Sequence, residues 1–120
     1  MILNLKVFIN MKIIITENKL ERIAIKWLND NYSDLEFIHT EKAPLLNFYM
    51  QNKNVIFDYR IKTKEIFITM DIWKFFKDYF SMEYKEISKL LIKWVEDNYN
   101  INVKKIKPAE NTRWRVIRPY

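Results

Sequence analysis

The chain of 120 residues contains no glycine, although glycine is normally among the commonest residues of a globular protein. A P-loop, a dinucleotide-binding fingerprint and the nucleophile elbow of hydrolases each need glycine, where the backbone approaches phosphate or takes a positive φ angle. These enzyme classes are therefore excluded. Asparagine is plentiful and is expected to supply the turns, because its short polar side chain tolerates the left-handed region.

Cysteine is absent as well, which excludes disulfide bonds, thiolate metal sites and cysteine nucleophiles, and suits a reducing compartment such as the cytoplasm. The single histidine, His39, excludes sites built from several histidines. The best remaining enzyme candidate is a metal-dependent nuclease using Asp58, Lys64 and Glu65, but such spacing is common in charged hairpins. We therefore predict a protein that is not an enzyme and needs no cofactor.

Long hydrophobic runs are also missing. Residues 1–10 are apolar in character, but they are too short for a membrane span and lack the cleavage pattern of a signal peptide. We expect them to form a strand or an extension upstream of Met11, which offers an alternative start. With 49% apolar residues and charges of both signs interspersed, residues 1–120 are predicted to fold as a single α+β domain.

A motif of eight residues, called the repeated motif below, occurs twice, at residues 25–32 and 92–99. Each copy consists of Ile-Lys-Trp, one apolar residue, one polar residue and Asp-Asn-Tyr. In both copies apolar residues recur three and four positions apart, which predicts an amphipathic helix with its tryptophan in the buried stripe. The Asn is expected to end the helix in the left-handed conformation, and the Tyr to fold back onto the last turn. Two binding ridges that each present a Trp are the alternative.

Between these helices, residues 45–51, 54–61 and 64–70 read as three strands joined by tight two-residue loops at Asn52-Lys53 and Lys62-Thr63. One face of this meander is predicted to be buried and the other to be partly covered. We expect an antiparallel sheet of three to five strands with about three helices packed on one face. The predicted buried residues are Leu46, Phe48, Met50, Val55, Phe57, Tyr59, Ile66, Ile68 and Met70.

The C-terminal segment, residues 101–120, holds six basic residues and one acid, so it supplies most of the net charge of +6. Residues 101–107 could form a strand that Pro108 interrupts, and residues 113–119 a final edge strand or an ordered tail. Cations beside a stackable ring are typical of nucleic-acid surfaces, but an acidic protein, an anionic lipid surface or a solvated edge strand would fit them too. The candidate nucleic-acid-binding residues are Lys104, Lys105, Lys107, Arg113, Trp114, Arg115 and Arg118.

Aromatic anchors are the second kind of candidate site. A short helix is predicted from an apolar stripe that consists of Ile72, Phe75, Phe76, Tyr79 and Phe80. Trp73 lies off this stripe, so it is either a packing residue or an exposed anchor for a protein partner. Trp114 and Tyr120 lie among the bases of the C-terminal segment and could serve the same purpose.

Several segments together resemble small uncharacterised proteins encoded by tailed bacteriophages. The resemblance covers roughly residues 11–100, and its clearest parts are residues 11–17, 27–35, 55–59, 72–76 and 94–99. It carries over no site residue. It implies a phage-encoded protein made in the bacterial host cytoplasm, with the virion as an alternative location.

Two functional hypotheses follow. The first is a non-enzymatic interaction protein that binds a host or phage protein through Trp73, Trp114 or Tyr120, with self-association as a variant; such binding should persist at high salt. The second is a nucleic-acid-binding accessory protein that uses the basic C-terminal segment, with affinity that falls steeply with salt. The first hypothesis is favoured because residues 1–100 are close to neutral.

Overall fold

A computed structural model describes residues 17–117 and Pro119 and confirms an α+β fold. The predicted strand or extension at residues 1–10, together with Arg118 and Tyr120, lies outside the described residues. Over residues 17–117 no helix is long and apolar enough to cross a membrane. The helices and strands in chain order are α1 (Glu17–Asn31), β1 (Glu36–Ile38), β2 (Leu46–Gln51), β3 (Asn54–Arg60), β4 (Glu65–Thr69), α2 (Met70–Phe80), α3 (Tyr84–Tyr99), β5 (Lys105–Ala109) and α4 (Arg113–Ile117).

The strands form one mixed sheet in the order β1-β2-β3-β4-β5. The first four strands are antiparallel neighbours, which confirms the predicted meander. The fifth strand lies parallel to β4 and is reached through a crossover that contains α2 and α3. Pro108 lies within β5 rather than ending it, which is tolerated because β5 is an edge strand with a neighbour on one side only.

The turns are made by residues other than glycine. Asn52 and Lys53 both take positive φ angles, 52° and 66°, and form the predicted two-residue hairpin loop between β2 and β3. The second loop was predicted as two residues but spans residues 61–64, because Arg60 pairs with Glu65. It closes with the N–H of Lys64 donating to the carbonyl of Arg60 at 2.8 Å.

The repeated motif lies at the end of a helix in both copies, but the prediction that its asparagine takes the left-handed conformation was wrong. The amides of Asn31 and Asn98 each donate, at 2.8 Å, to the carbonyl of the tryptophan four residues earlier. The left-handed residue after α3 is Asn100, at φ 53°. The tyrosines fold back as predicted, with Tyr32 and Tyr99 edge-on to the Trp of their own copy at 5.8 and 5.9 Å.

The main core lies between one face of the sheet and helices α1, α2 and α3. Trp94 is buried, and its indole N–H donates to the Asn29 side chain at 2.9 Å, which ties α3 to α1. Trp27 is half-buried and stacks on Phe75 at 3.9 Å between ring centres. Both repeated tryptophans therefore belong to the core, as the apolar stripes predicted.

The opposite face of the sheet, called the back face below, is covered by the fourth helix. Phe48, Met50 and Val55 form a small cluster there with Trp114 and Ile117 of α4. The prediction that Leu46, Phe48 and Met50 of β2 share a buried face with Phe57 and Tyr59 was wrong. These three residues pack on the back face, and Tyr49 packs in the main core. A register shift between Tyr49 and Met50 then places Val55 on the back face as well.

Candidate functional site

A buried carboxylate lies at the centre of the back face. Asp58 of β3 is fully buried, and strand alternation turns it away from the side occupied by its neighbours Phe57 and Tyr59. Arg113 donates from Nε and Nη2 to the two oxygens of Asp58, at 2.7 and 2.9 Å. The indole N–H of Trp114 adds a third hydrogen bond at 2.7 Å. These donors compensate the burial of the charge.

The same ion pair fixes α4 on the sheet. The Arg113 guanidinium lies 3.7 Å from the centre of the Phe67 ring, and its side chain is only 17% exposed. Residues 113–117 thus form a short helix held by its first two side chains, and not the edge strand that was one of the two predicted alternatives. Arg113 and Trp114, both predicted to bind nucleic acid, are already engaged with Asp58.

Trp73 is also an internal residue. Its side chain is 5% exposed and stacks on the Tyr84 ring at 4.9 Å with an angle of 18° between the planes. This matches the packing alternative for Trp73 rather than the exposed anchor. Of the three predicted aromatic anchors, Trp73 and Trp114 are packed into the protein, and Tyr120 lies outside the described residues.

The remaining bases of the C-terminal segment meet a second basic run that comes from the loop between β3 and β4. The backbone N–H of Lys104 donates to the carbonyl of Lys64 at 2.8 Å, and Lys105 pairs with Glu65 across the β4–β5 ladder. Arg60 is opposite Glu65 on the other side. We call this surface the basic edge, and it consists of Arg60, Lys62, Lys64, Lys104, Lys105 and Lys107.

Glu65 is the carboxylate that lies among these bases. A hydrogen bond from the Thr63 hydroxyl, and then the charges of Lys107, Arg60 and Lys105, lower the pKa of Glu65 below its ordinary value. Its contact with Lys107 is loose, at 3.6 Å. The nearby Glu96 is occupied by a hydrogen bond from the backbone N–H of Val103. The basic edge therefore keeps a large excess of positive charge.

Arg115 does not join the basic edge. It is exposed on α4 and lines a different groove with Asn52 and Lys53, at the opposite end of the strands. Arg118, the last base of the predicted nucleic-acid set, lies outside the described residues. The structure thus brings together three of the predicted bases, Lys104, Lys105 and Lys107.

Two open grooves meet beside β5. The first, of about 880 Å³, is lined by Lys105, Lys107 and Glu110, together with Phe67, Val116 and Ile117. The second, of about 630 Å³, lies between α2 and the start of α3 and contains Lys74, Lys77 and Glu83. Tyr84 and Pro108 line both grooves. Tyr84 is 56% exposed and was not singled out from the sequence.

Sequence reasoning also missed Arg60, Lys62 and Lys64. The basic run of residues 60–64 was a visible signal. That this run shares a surface with residues 104–107 follows only from the parallel pairing of β4 with β5. This pairing joins residues about forty positions apart and cannot be read from local patterns.

The three residues of the nuclease candidate do not converge. Asp58 pairs with Phe67 in the sheet and is enclosed by Arg113 and Trp114, whereas Glu65 pairs with Arg60. In the part of the chain that the structure describes, no three acidic, His or Cys side chains are grouped so that they could hold a metal ion. Comparisons of the chain with protein families, with characterised proteins and with solved structures find no match.

Proposed function

We propose that this protein is a non-enzymatic nucleic-acid-binding protein whose binding surface is the basic edge. The observation that supports this most is the meeting of two separate basic segments, residues 60–64 and 104–107, at one end of the sheet. Lysine and arginine side chains grouped in this way neutralise phosphates and release their counterions.

The alternative, binding of a host or phage protein through aromatic anchors, has less support. Two of its three anchors already have partners inside the protein, Trp73 on Tyr84 and Trp114 on Asp58. Aromatic anchors of a protein interface need exposed apolar surface at the centre of that interface. A phage origin, a place in the host cytoplasm or the virion, and self-association remain predictions.

The first test is fluorescence anisotropy with labelled single-stranded DNA, duplex DNA and RNA over a series of salt concentrations. We expect log affinity to fall linearly with log salt, by about 0.7 to 0.9 unit for each phosphate contacted. The test variant replaces three exposed lysines of the basic edge, Lys62, Lys104 and Lys105, with glutamine. It should bind about 10- to 100-fold more weakly at low salt, with a slope reduced by up to about 3 units.

A matched control replaces three exposed bases elsewhere, Arg22, Lys42 and Lys89, with glutamine, which changes the net charge equally. We expect this control to bind almost as well as the unaltered chain. An equal loss in both variants would mean that only the total charge matters, and the proposal would be wrong. Absence of binding by the folded chain at near-physiological salt would contradict it as well, and salt-insensitive binding to a protein would then favour the alternative.

A further inference from the structure

We infer that the nucleic acid bound is single-stranded and that one of its bases stacks on Tyr84. This inference rests on the proposed function and assigns its substrate class. Tyr84 is the first residue of α3 and remains 56% exposed although its ring is held in two ways. One ring face stacks on the buried Trp73 at 4.9 Å, and the hydroxyl donates to the carbonyl of Ile106 at 3.4 Å.

Tyr84 lies between two pairs of lysines, although each groove also contains one glutamate. On one side, the first groove leads to Lys105 and Lys107 of the basic edge. On the other side, the second groove leads to Lys74 and Lys77, both of which are exposed on α2. Since Tyr84 lines both grooves, a strand that follows the lysines from one groove to the other crosses the ring.

The chemistry of this path fits a single strand rather than a duplex. The bases of a duplex are stacked on each other and cannot offer a face to a protein side chain, whereas the bases of a single strand can. Cations on both sides of the ring can hold the phosphates before and after the stacked base. A ring that is fixed before binding loses little conformational freedom when the base arrives, which favours affinity.

The direct test uses an oligothymidylate with one 2-aminopurine, whose fluorescence is quenched when it stacks on an aromatic ring. We expect quenching and tight binding with the unaltered chain and with Tyr84→Phe, which keeps the ring. Tyr84→Leu should lose the quenching and bind the oligonucleotide about 5- to 100-fold more weakly. Its affinity for duplex DNA should not change, because the lysines remain. The control is Tyr79→Leu, which removes a tyrosine that is 64% exposed and packs on Phe75.

A second measurement does not depend on how well Tyr84→Leu folds. Ultraviolet crosslinking of the unaltered chain to an oligonucleotide containing 5-bromouracil, followed by mass spectrometry, should yield an adduct on the peptide that carries Tyr84. Adducts on the basic edge without any on Tyr84 would overturn this inference and leave the proposed function intact. Equal affinity of the two tyrosine-to-leucine variants for single strands would do the same. No binding of either DNA form at low salt would overturn both.

Discussion

At the scale of the residue, Asp58 is the position on which the back face depends. Its carboxylate is fully buried and accepts two hydrogen bonds from Arg113 and one from Trp114. The partners differ in their access to water, because the Arg113 side chain is 17% exposed and that of Asp58 is not exposed at all. Removing one partner should therefore cost different amounts depending on which partner is removed.

We predict that Arg113→Met lowers the free energy of unfolding by about 3 to 5 kcal/mol, because it leaves a buried carboxylate without its counter-ion. Asp58→Asn should cost less, about 1 to 3 kcal/mol, since the guanidinium can turn toward water and the amide oxygen can still accept the Trp114 hydrogen bond. Urea denaturation followed by tryptophan fluorescence measures both. The double variant should be more stable than Arg113→Met alone. Equal losses in the two single variants would contradict this account.

At the scale of the element, the chain ends its helices and closes its turns without glycine. Within residues 17–117, six residues take positive φ angles, among them Ser81 after α2 and Asn100 after α3. Asparagine tolerates this conformation better than serine does, because its side chain can hydrogen-bond locally. Ser81 ends α2, and α3 begins after Glu83 with a capping box formed by Glu83 and Glu86.

We predict that Ser81→Gly stabilises the protein by about 0.5 to 1 kcal/mol, because glycine takes the left-handed conformation without a steric penalty. Asn100→Gly should change stability by less, since asparagine already accommodates a φ of 53°. Thermal and urea unfolding of the two variants provide the comparison. A loss of stability in Ser81→Gly, or a larger gain in Asn100→Gly, would show that backbone strain at Ser81 is not the controlling factor.

At the scale of the whole molecule, the C-terminal segment is an integral part of the fold. It contributes β5 to the sheet, the buried residues Val103 and Ile106 to the main core, and α4 to the back face. The segment was predicted to form a strand or a tail, and Lys104, Lys105 and Lys107 lie in or beside the paired strand β5. The proposed binding surface and the fold therefore share the same residues.

We predict that a chain ending at Asn100 fails to fold cooperatively. It would expose the edge of β4, remove Val103 and Ile106 from the main core, and leave the Asp58 carboxylate without its three donors. Two-dimensional ¹H–¹⁵N spectra should show collapsed amide dispersion. The full chain with Lys104→Gln and Lys105→Gln is the control and should keep native dispersion. A well-dispersed spectrum of the truncated chain would mean that residues 17–100 fold alone.

The misses of sequence reasoning have a common physical origin. The helices and the first hairpin follow from periodicity and from neighbouring residues, so they could be predicted. The face of β2 could not, because the register shift beside Tyr49 reverses the inward positions. The helix at residues 113–117 could not either, since at five residues it depends on the Asp58 ion pair rather than on its own propensity.

The sequence by itself determined the α+β class, the packing of the repeated motif's tryptophans against the core and the exclusion of glycine-dependent enzyme motifs, because each depends on local pattern or on composition. Only the tertiary structure decided which bases form a surface. The parallel pairing of β4 with β5 joins residues 60–64 to residues 104–107, and the Asp58–Arg113 pair joins positions 55 residues apart. Such long-range pairings depend on how α2 and α3, which connect β4 to β5 in the chain, pack on the sheet. No local pattern encodes that packing.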